Sequence, residues 1–549
     1  MTQKKAAFDL LAAVAPQVVE QLQPDFIFRN EVGQRNIYEQ MGGLFFAALY
    51  ATPGTRYTRD PEMLRCAIAA WEVYARDYAR EDGQCTLVTF DQDWGPNRDE
   101  WGALHWLNTL QLLEGDLPPE MAERWRRLSI AACRHSWDFF RRDWDNGKLP
   151  DGLERNQINN HYLWMLCCAL RLGKYIGDKA MVAQAIDYLR LIAGRLHSSG
   201  CFLEEGSLIV RYAHISFGAL MHCLDLAPEA DFLREPIRRM AGYLRGVQYA
   251  PGLAIGTIDT RNRTQPTSFP LCFCCGQMAS DPQIAAHNSA TLAQAASEKN
   301  LLVRHSTLAF LTTCCLMLPD DAPMAAPVEM PTGDTLIPEC CAAVLRRGDW
   351  TLSFCADHQR VFGNRFALER GNLVGLHHAD AGEIIGGGHS IADPLFSSFE
   401  VIKDGQVGYL PQQGELLADG IAWTANGCRC RVTAEFAEGV KLRYSIEGLV
   451  DASRARVHLP LFVPVGGPLI VDGVELPLER GHLMQLPAGT TVCLRGARMK
   501  LDAPAQLSYP HFPFNSYLIH QPQDWAEAFG LLTVEMDIHT TAVTLEVNK

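Results

Sequence analysis

The sequence predicts a helical toroid followed by an antiparallel β-sandwich. Three observations lead there. Residues from 5 to about 316 carry apolar side chains at helical spacing. The stretch "LPDDAPMAAPVEMPTGDT" (318–335) then breaks the pattern with Pro, Asp and Ala. Beyond it the apolar period shortens to two. A chain of 549 residues also exceeds the roughly 250–300 at which a single core stops growing.

Helical segments are expected to begin near residues 5, 35, 62, 100, 119, 158, 179, 207, 231, 283 and 302, with no strand-like alternation between them. The first, "MTQKKAAFDLLAAVAPQVVEQL", has Lys4 and Lys5 ahead of an apolar run, as a leader peptide does. Asp9 interrupts that run, and Phe8, Leu11, Val14, Val18 and Leu22 keep helical spacing, so a first helix is the expectation. The segment at 158–173 is apolar nearly all round, which suits an inner-ring helix. Helical hairpins stacked in this number close into an (α/α) toroid. After the linker, "WTLSFCAD", "KLRYSIEGLV", "ARVHLPLFVPV", "PLIVDGVELPL" and "TTVCLRGARMKL" alternate between turn residues and predict strands. The expected domains are 1–317, a linker at 318–335, and 336–549.

Composition narrows the function. The net charge of −14 and the pI near 5.7 argue against nucleic acid, which needs a basic face. A small anionic ligand stays compatible, because a few local Arg and His residues dominate a cleft within a screening length of about 8 Å. No run approaches the roughly 18 apolar residues of a membrane span. The 18 cysteines are often adjacent and sit in apolar runs, where Cys behaves as a small hydrophobe. Reduced thiols predict a cytoplasmic setting. The oligomeric state is open, a homodimer included.

Three stretches carry candidate chemistry. In "RNQINNHYLWMLCCALRLG" (155–173), Asn159, Asn160 and His161 stand at the head of the apolar helix. Helix capping and a satisfied core histidine are the competing explanations. In "HSSGCFLEEGSLIVRYAHISFGAL" (197–220), a glycine-containing loop leads into a helix with Arg211, Tyr212 and His214, and Ser207 is a plausible cap. In "RGNLVGLHHADAGEIIGGGHSIAD" (370–393), three histidines, two aspartates and Gly386-Gly387-Gly388 interrupt the alternation. Those residue types permit a structural divalent metal, zinc or manganese, with His378 and Asp393 as ligands. No cofactor is otherwise required. Trp94, Trp101 and Trp106, around "FDQDWGPNRDEWG", suit either sugar stacking or core packing.

Together these features resemble the heparinase II/III-like polysaccharide lyases and the related toroid-plus-sandwich alginate lyases. Tyr212 follows His161 by 51 positions, and "HHADAG" (377–382) is similar to the His-x-Asp-Ala-Gly signature opening that family's β domain. Leu376 stands where the signature often carries an earlier histidine, and His377 follows one place later. The resemblance implies β-elimination at a uronic acid, giving 4,5-unsaturated ends. It implies Asn160 as a neutral donor to the substrate carboxylate, with His161 donating there or acting as base. Tyr212 is the implied proton handler, and His377 completes the set. Arg155 and Arg211 are candidates for lowering the phenol's pKa and for binding substrate, as Trp94 and Trp101 are for stacking. The expected partner is an acidic oligosaccharide, imported and cut from one end. Two readings compete: an (α/α)-toroid glycoside hydrolase using carboxylates among Asp91, Asp93 and Glu204 or Glu205, and a glycan-binding protein without turnover.

Overall fold

The computed structural model describes residues 1–22, 24–30, 33–146, 158–204, 208–259, 273–297, 305–326, 329–356, 373–386, 395, 397–451, 453–463, 467–477, 481–511 and 528–549. They form two compact units. The first comprises Met1–Phe202, Tyr212–Tyr243 and Pro270–Glu329, and the second Leu203–Arg211, Leu244–Phe269 and Met330–Lys549. The second unit thus takes in two stretches that a single boundary at 318–335 leaves with the helices.

The helices are α1 (Gln3–Leu22), α2 (Gly43–Ala51), α3 (Pro61–Asp77), α4 (Glu100–Leu113), α5 (Pro119–Asp145), α6 (Asn160–Ile176), α7 (Lys179–Ala193), α8 (Val210–Leu226), α9 (Arg234–Gly246), α10 (Pro282–Ser297) and α11 (His305–Met317). Their starts are set locally. Asp60 accepts from the Glu62 amide ahead of Pro61, and Asp178 accepts from the Met181 amide at the head of α7. α6 ends at Gly177, whose φ of 75° needs a glycine. Neighbours pack in sequence, α4 on α5, α5 on α6 and α6 on α7. α11 returns against α1, α2 and α4, and α1 packs on α10, which closes the toroid. α2, α4 and α6 are buried over most of their length, whereas α5 shows a polar face.

Trp106 belongs to this core. It is fully buried, stacks on Trp71 at 5.8 Å with the planes 2° apart, and meets Tyr74 and Trp125 edge-on. Of its two sequence-level explanations, packing applies. Trp106→Ala is expected to cost about 3–5 kcal/mol, read as a fall in the urea midpoint. A loss below about 1 kcal/mol would mean that the surrounding rings collapse into the gap.

The expectation of no strands among the helices is corrected. Cys85–Thr89 and Gln92–Asn97 form an antiparallel hairpin, and Gln248–Ala250 pairs with Leu253–Ala254. In the first hairpin the turn residues Phe90 and Asp91 both have positive φ (53° and 59°), the geometry whose twist suits a two-residue hairpin. Neither is glycine, so the usual turn signal was missing.

The second unit is an antiparallel sandwich. Among the described residues one sheet has eleven strands and the other nine. Between them lies one apolar core, with Val457 and Leu459 of the first sheet and Val432, Leu442, Tyr444 and Leu545 of the second. The predicted strands are present. "PLIVDGVELPL" turns at Asp472-Gly473 and "TTVCLRGARMKL" at Arg495-Gly496, each with two positive φ angles. Every described cysteine is a free thiol. Among the described residues no helix is long and apolar enough to cross a membrane.

Candidate active site

The head of α6 divides its polar trio between two tasks. Asn159 is extended (φ −72°, ψ 134°), and its Oδ1 accepts the His161 backbone N–H at 2.9 Å. Asn159 therefore does the capping. Asn160, the first helical residue, is 1% exposed. The His161 side chain keeps 30% of its surface, its ring stacks on Trp101 at 5.1 Å and 15°, and its Nδ1 meets Glu100 Oε1.

Glu100 is the residue that sequence reasoning missed. It opens α4 directly after Asp99, which caps that helix by accepting the Gly102 N–H at 2.9 Å and also accepts the Tyr74 hydroxyl at 2.8 Å. Its carboxylate is almost wholly buried, and Oε2 lies 3.7 Å from Nε of Arg98, whose guanidinium rests on the Phe139 ring at 4.3 Å. Burial pushes the Glu100 pKa up, but the charge and hydrogen bond of His161, with help from Arg98, hold it below the usual carboxylate value. Burial raises Asp99 to about 6 against the Gly102 N–H, with the Glu100 charge adding to the rise. Tyr38 packs on Trp101 at 4.9 Å, and burial with these two carboxylates drives its pKa well above 10. The available signal was "RDE" at a helix start, two acids where the helix dipole favours them.

Among the indoles, Trp94 is 47% exposed on the hairpin, held by Nε1–H donation to Thr89 Oγ1 at 2.8 Å. Trp101 gives one face to His161, so its first task is to fix that ring. Asp91 and Asp93 are exposed beside the hairpin turn. Asp91 accepts from the Arg35 N–H at 3.0 Å, and Asp93 from the Gly95 N–H at 2.7 Å. Glu204 is buried, and Glu205 and Arg155 lie outside the described residues.

Tyr212 sits half-buried in the first turn of α8. That helix touches α6 through Cys167 Sγ, which lies 3.2 Å from Cys223 Sγ and 3.4 Å from the Ala219 carbonyl. Tyr212 is eleven residues before Cys223, about 16 Å along the axis. Arg211 is half-buried, and its backbone N–H donates to Asp259 at 3.0 Å. His214 is buried, which drives its pKa down to about 3, and His287 adds to the shift.

In the sandwich unit, strand Val374–His378 points its last two side chains to opposite faces. His377 stacks on Tyr249 at 4.5 Å and 11°, and His378 meets the edge of Trp350 at 4.6 Å. Burial lowers His377 to about 4, and the charges of His378 and Arg495 lower it further. His378 Nδ1 accepts the Asp380 N–H at 3.1 Å. Asp380 instead pairs with Lys549, and Asp393 lies outside the described residues. Among the described residues no group of three or more His, Cys, Asp or Glu side chains is arranged to hold a metal ion.

No family model matches this sequence, and no curated protein matches it by sequence. Solved structures do match it in fold. The chondroitin AC lyase of Streptomyces coelicolor A3, in complex with chondroitin sulphate, is 12% identical with a TM-score of 0.52, over 99% of this chain and 79% of that one. This chain shares its fold. A Paenibacillus xanthan lyase gives 11% identity and a TM-score of 0.52, over 100% of this chain and 57% of the other, so the chain spans little more than half of that enzyme. These neighbours are polysaccharide lyases built as a helical toroid with a β-sandwich.

Proposed function

We propose that the protein is a polysaccharide lyase that cleaves uronic-acid-containing glycans by β-elimination, leaving a 4,5-unsaturated uronate. The observation that carries this reading is the head of α6. There a half-exposed imidazole is held by a buried carboxylate, next to a buried asparagine, on a toroid whose structural neighbours are lyases. The C5 proton of a uronate is too weakly acidic to leave until the adjacent carboxylate is neutralised. Amide donation from Asn160 serves that end, as donors in an oxyanion hole do. His161 and the Tyr212 phenol are the proton-handling groups. Trp94 is a platform for a sugar ring. In a cytoplasmic setting the substrates are imported short oligosaccharides, and cutting proceeds from one end.

The hydrolase alternative has less support, because two of its candidate carboxylates, Asp91 and Asp93, are exposed rather than buried as a general acid usually is, and only Glu204 among its described candidates is buried. The test is a panel of uronate-containing oligosaccharides followed by near-ultraviolet absorbance. A lyase generates the unsaturated chromophore with each cut. New reducing ends without the chromophore would replace this reading by hydrolysis, and binding without products would replace it by a lectin-like role. For exo cutting, the viscosity of a long polymer should fall slowly while small products accumulate early.

A further inference from the structure

We infer that Glu100 is a positioning residue for His161. Its buried carboxylate fixes the imidazole as the Nδ1–H tautomer, so that Nε2 is the nitrogen presented to substrate. The inference rests on the proposed function only for what Nε2 does.

The argument runs through hydrogen-bond capacity. An ionised carboxylate accepts and cannot donate, so the proton between Glu100 Oε1 and His161 Nδ1 belongs to the ring. Three features keep Glu100 ionised despite its burial. It occupies the first turn of α4, where backbone N–H groups favour an anion. Arg98 approaches its second oxygen. The imidazole itself donates to the first. With Nδ1 spent on Glu100 and one ring face on Trp101, the exposed 30% of the side chain is the other face and the edge bearing Nε2. Asn159 pins the backbone of the same residue. Orientation, tautomer and register are thus set by three neighbours, none of which has to touch substrate. The pair joins α4 to α6 across 61 residues of sequence.

The test is ¹⁵N imidazole spectroscopy on the full-length protein, with the His161 signals assigned by their loss in His161→Gln. The wild type should show a protonated Nδ1 and an unprotonated Nε2 in the neutral ring. Glu100→Ala should shift the ring toward the Nε2–H form and lower kcat on the best glycan by about 10²-fold with KM little changed, the scale expected for a misplaced reacting group. Glu100→Gln, whose amide oxygen still accepts from Nδ1–H, should restore the tautomer and much of kcat. A wild-type ring protonated on Nε2, or a Glu100→Ala enzyme with unchanged kcat, would overturn the inference. If Glu100→Ala fails to fold, the wild-type and Glu100→Gln spectra still decide. If no uronate glycan is cleaved, the spectrum still decides the pairing, while the reading as a lyase fails separately.

Discussion

His161→Ala is expected to lower turnover of the best uronate oligosaccharide by about 10²–10⁴-fold, and Tyr212→Phe by a comparable factor, the usual contribution of a general acid or base. Neither change should unfold the protein. His161 keeps part of its surface in solvent, and Asn159 caps α6 through the backbone of residue 161, whatever side chain stands there. Phe fills the space of the Tyr212 ring and removes only the hydroxyl. Initial rates at saturating substrate, with circular dichroism to confirm the fold, are the measurement. Near-native turnover in Tyr212→Phe would take away the proposed proton carrier and turn attention to paired carboxylates.

The second large effect is on stability below neutral pH. In the helical unit, burial lowers His105 and His305 to about 4, and His214 and His222 to about 3. An unfolded histidine titrates near 6.5. A group whose folded pKa is depressed contributes stability that is whole above its unfolded value and is lost as pH falls toward the folded one. Two carboxylates in the same unit act the other way. Burial raises Asp99 to about 6 and Asp225 to about 7, so each recovers stability on acidification. Four groups against two leave a net uptake of about two protons on unfolding between roughly pH 4.5 and 6. At about 1.4 kcal/mol per proton per pH unit, that is a loss near 3 kcal/mol per unit. A whole domain commonly holds only about 5–15 kcal/mol. The urea midpoint of the helical unit, followed by tryptophan fluorescence, is therefore expected to fall steeply from pH 6.5 to 4.5. A midpoint flat over that range would contradict the burial of these four rings.

What was legible in the sequence was what is set locally. Helix starts expected near 100, 119 and 179 fall at Glu100, Pro119 and Lys179, because apolar spacing and capping residues act within a few positions. The turns at Asp472-Gly473 and Arg495-Gly496 were marked by their glycines. The opposed faces of His377 and His378 followed from a period of two. The partner of His161 was not legible. Glu100 lies 61 residues away, and only the packing of α4 against α6 brings them together. Which of two adjacent asparagines would cap α6 depended on a one-residue register that composition does not set. The hairpin was hidden because "QDWGPN" lacks the β-branched residues of a typical strand.

That hairpin separates two kinds of change. Its base is pinned where Cys85 pairs with Asn97, just ahead of the Arg98–Asp99–Glu100 run that holds His161. Its far end, residues 91–94, is exposed and carries Trp94. Exposed tips tolerate substitution and insertion because little packing depends on them. The far end can therefore vary in length or in aromatic content while the ladder at the base keeps its register. Under the proposed function, glycan preference and proton chemistry would sit on one short segment yet could drift separately, and loop grafting at residues 91–94 would be the place to begin redirecting the protein toward a different sugar.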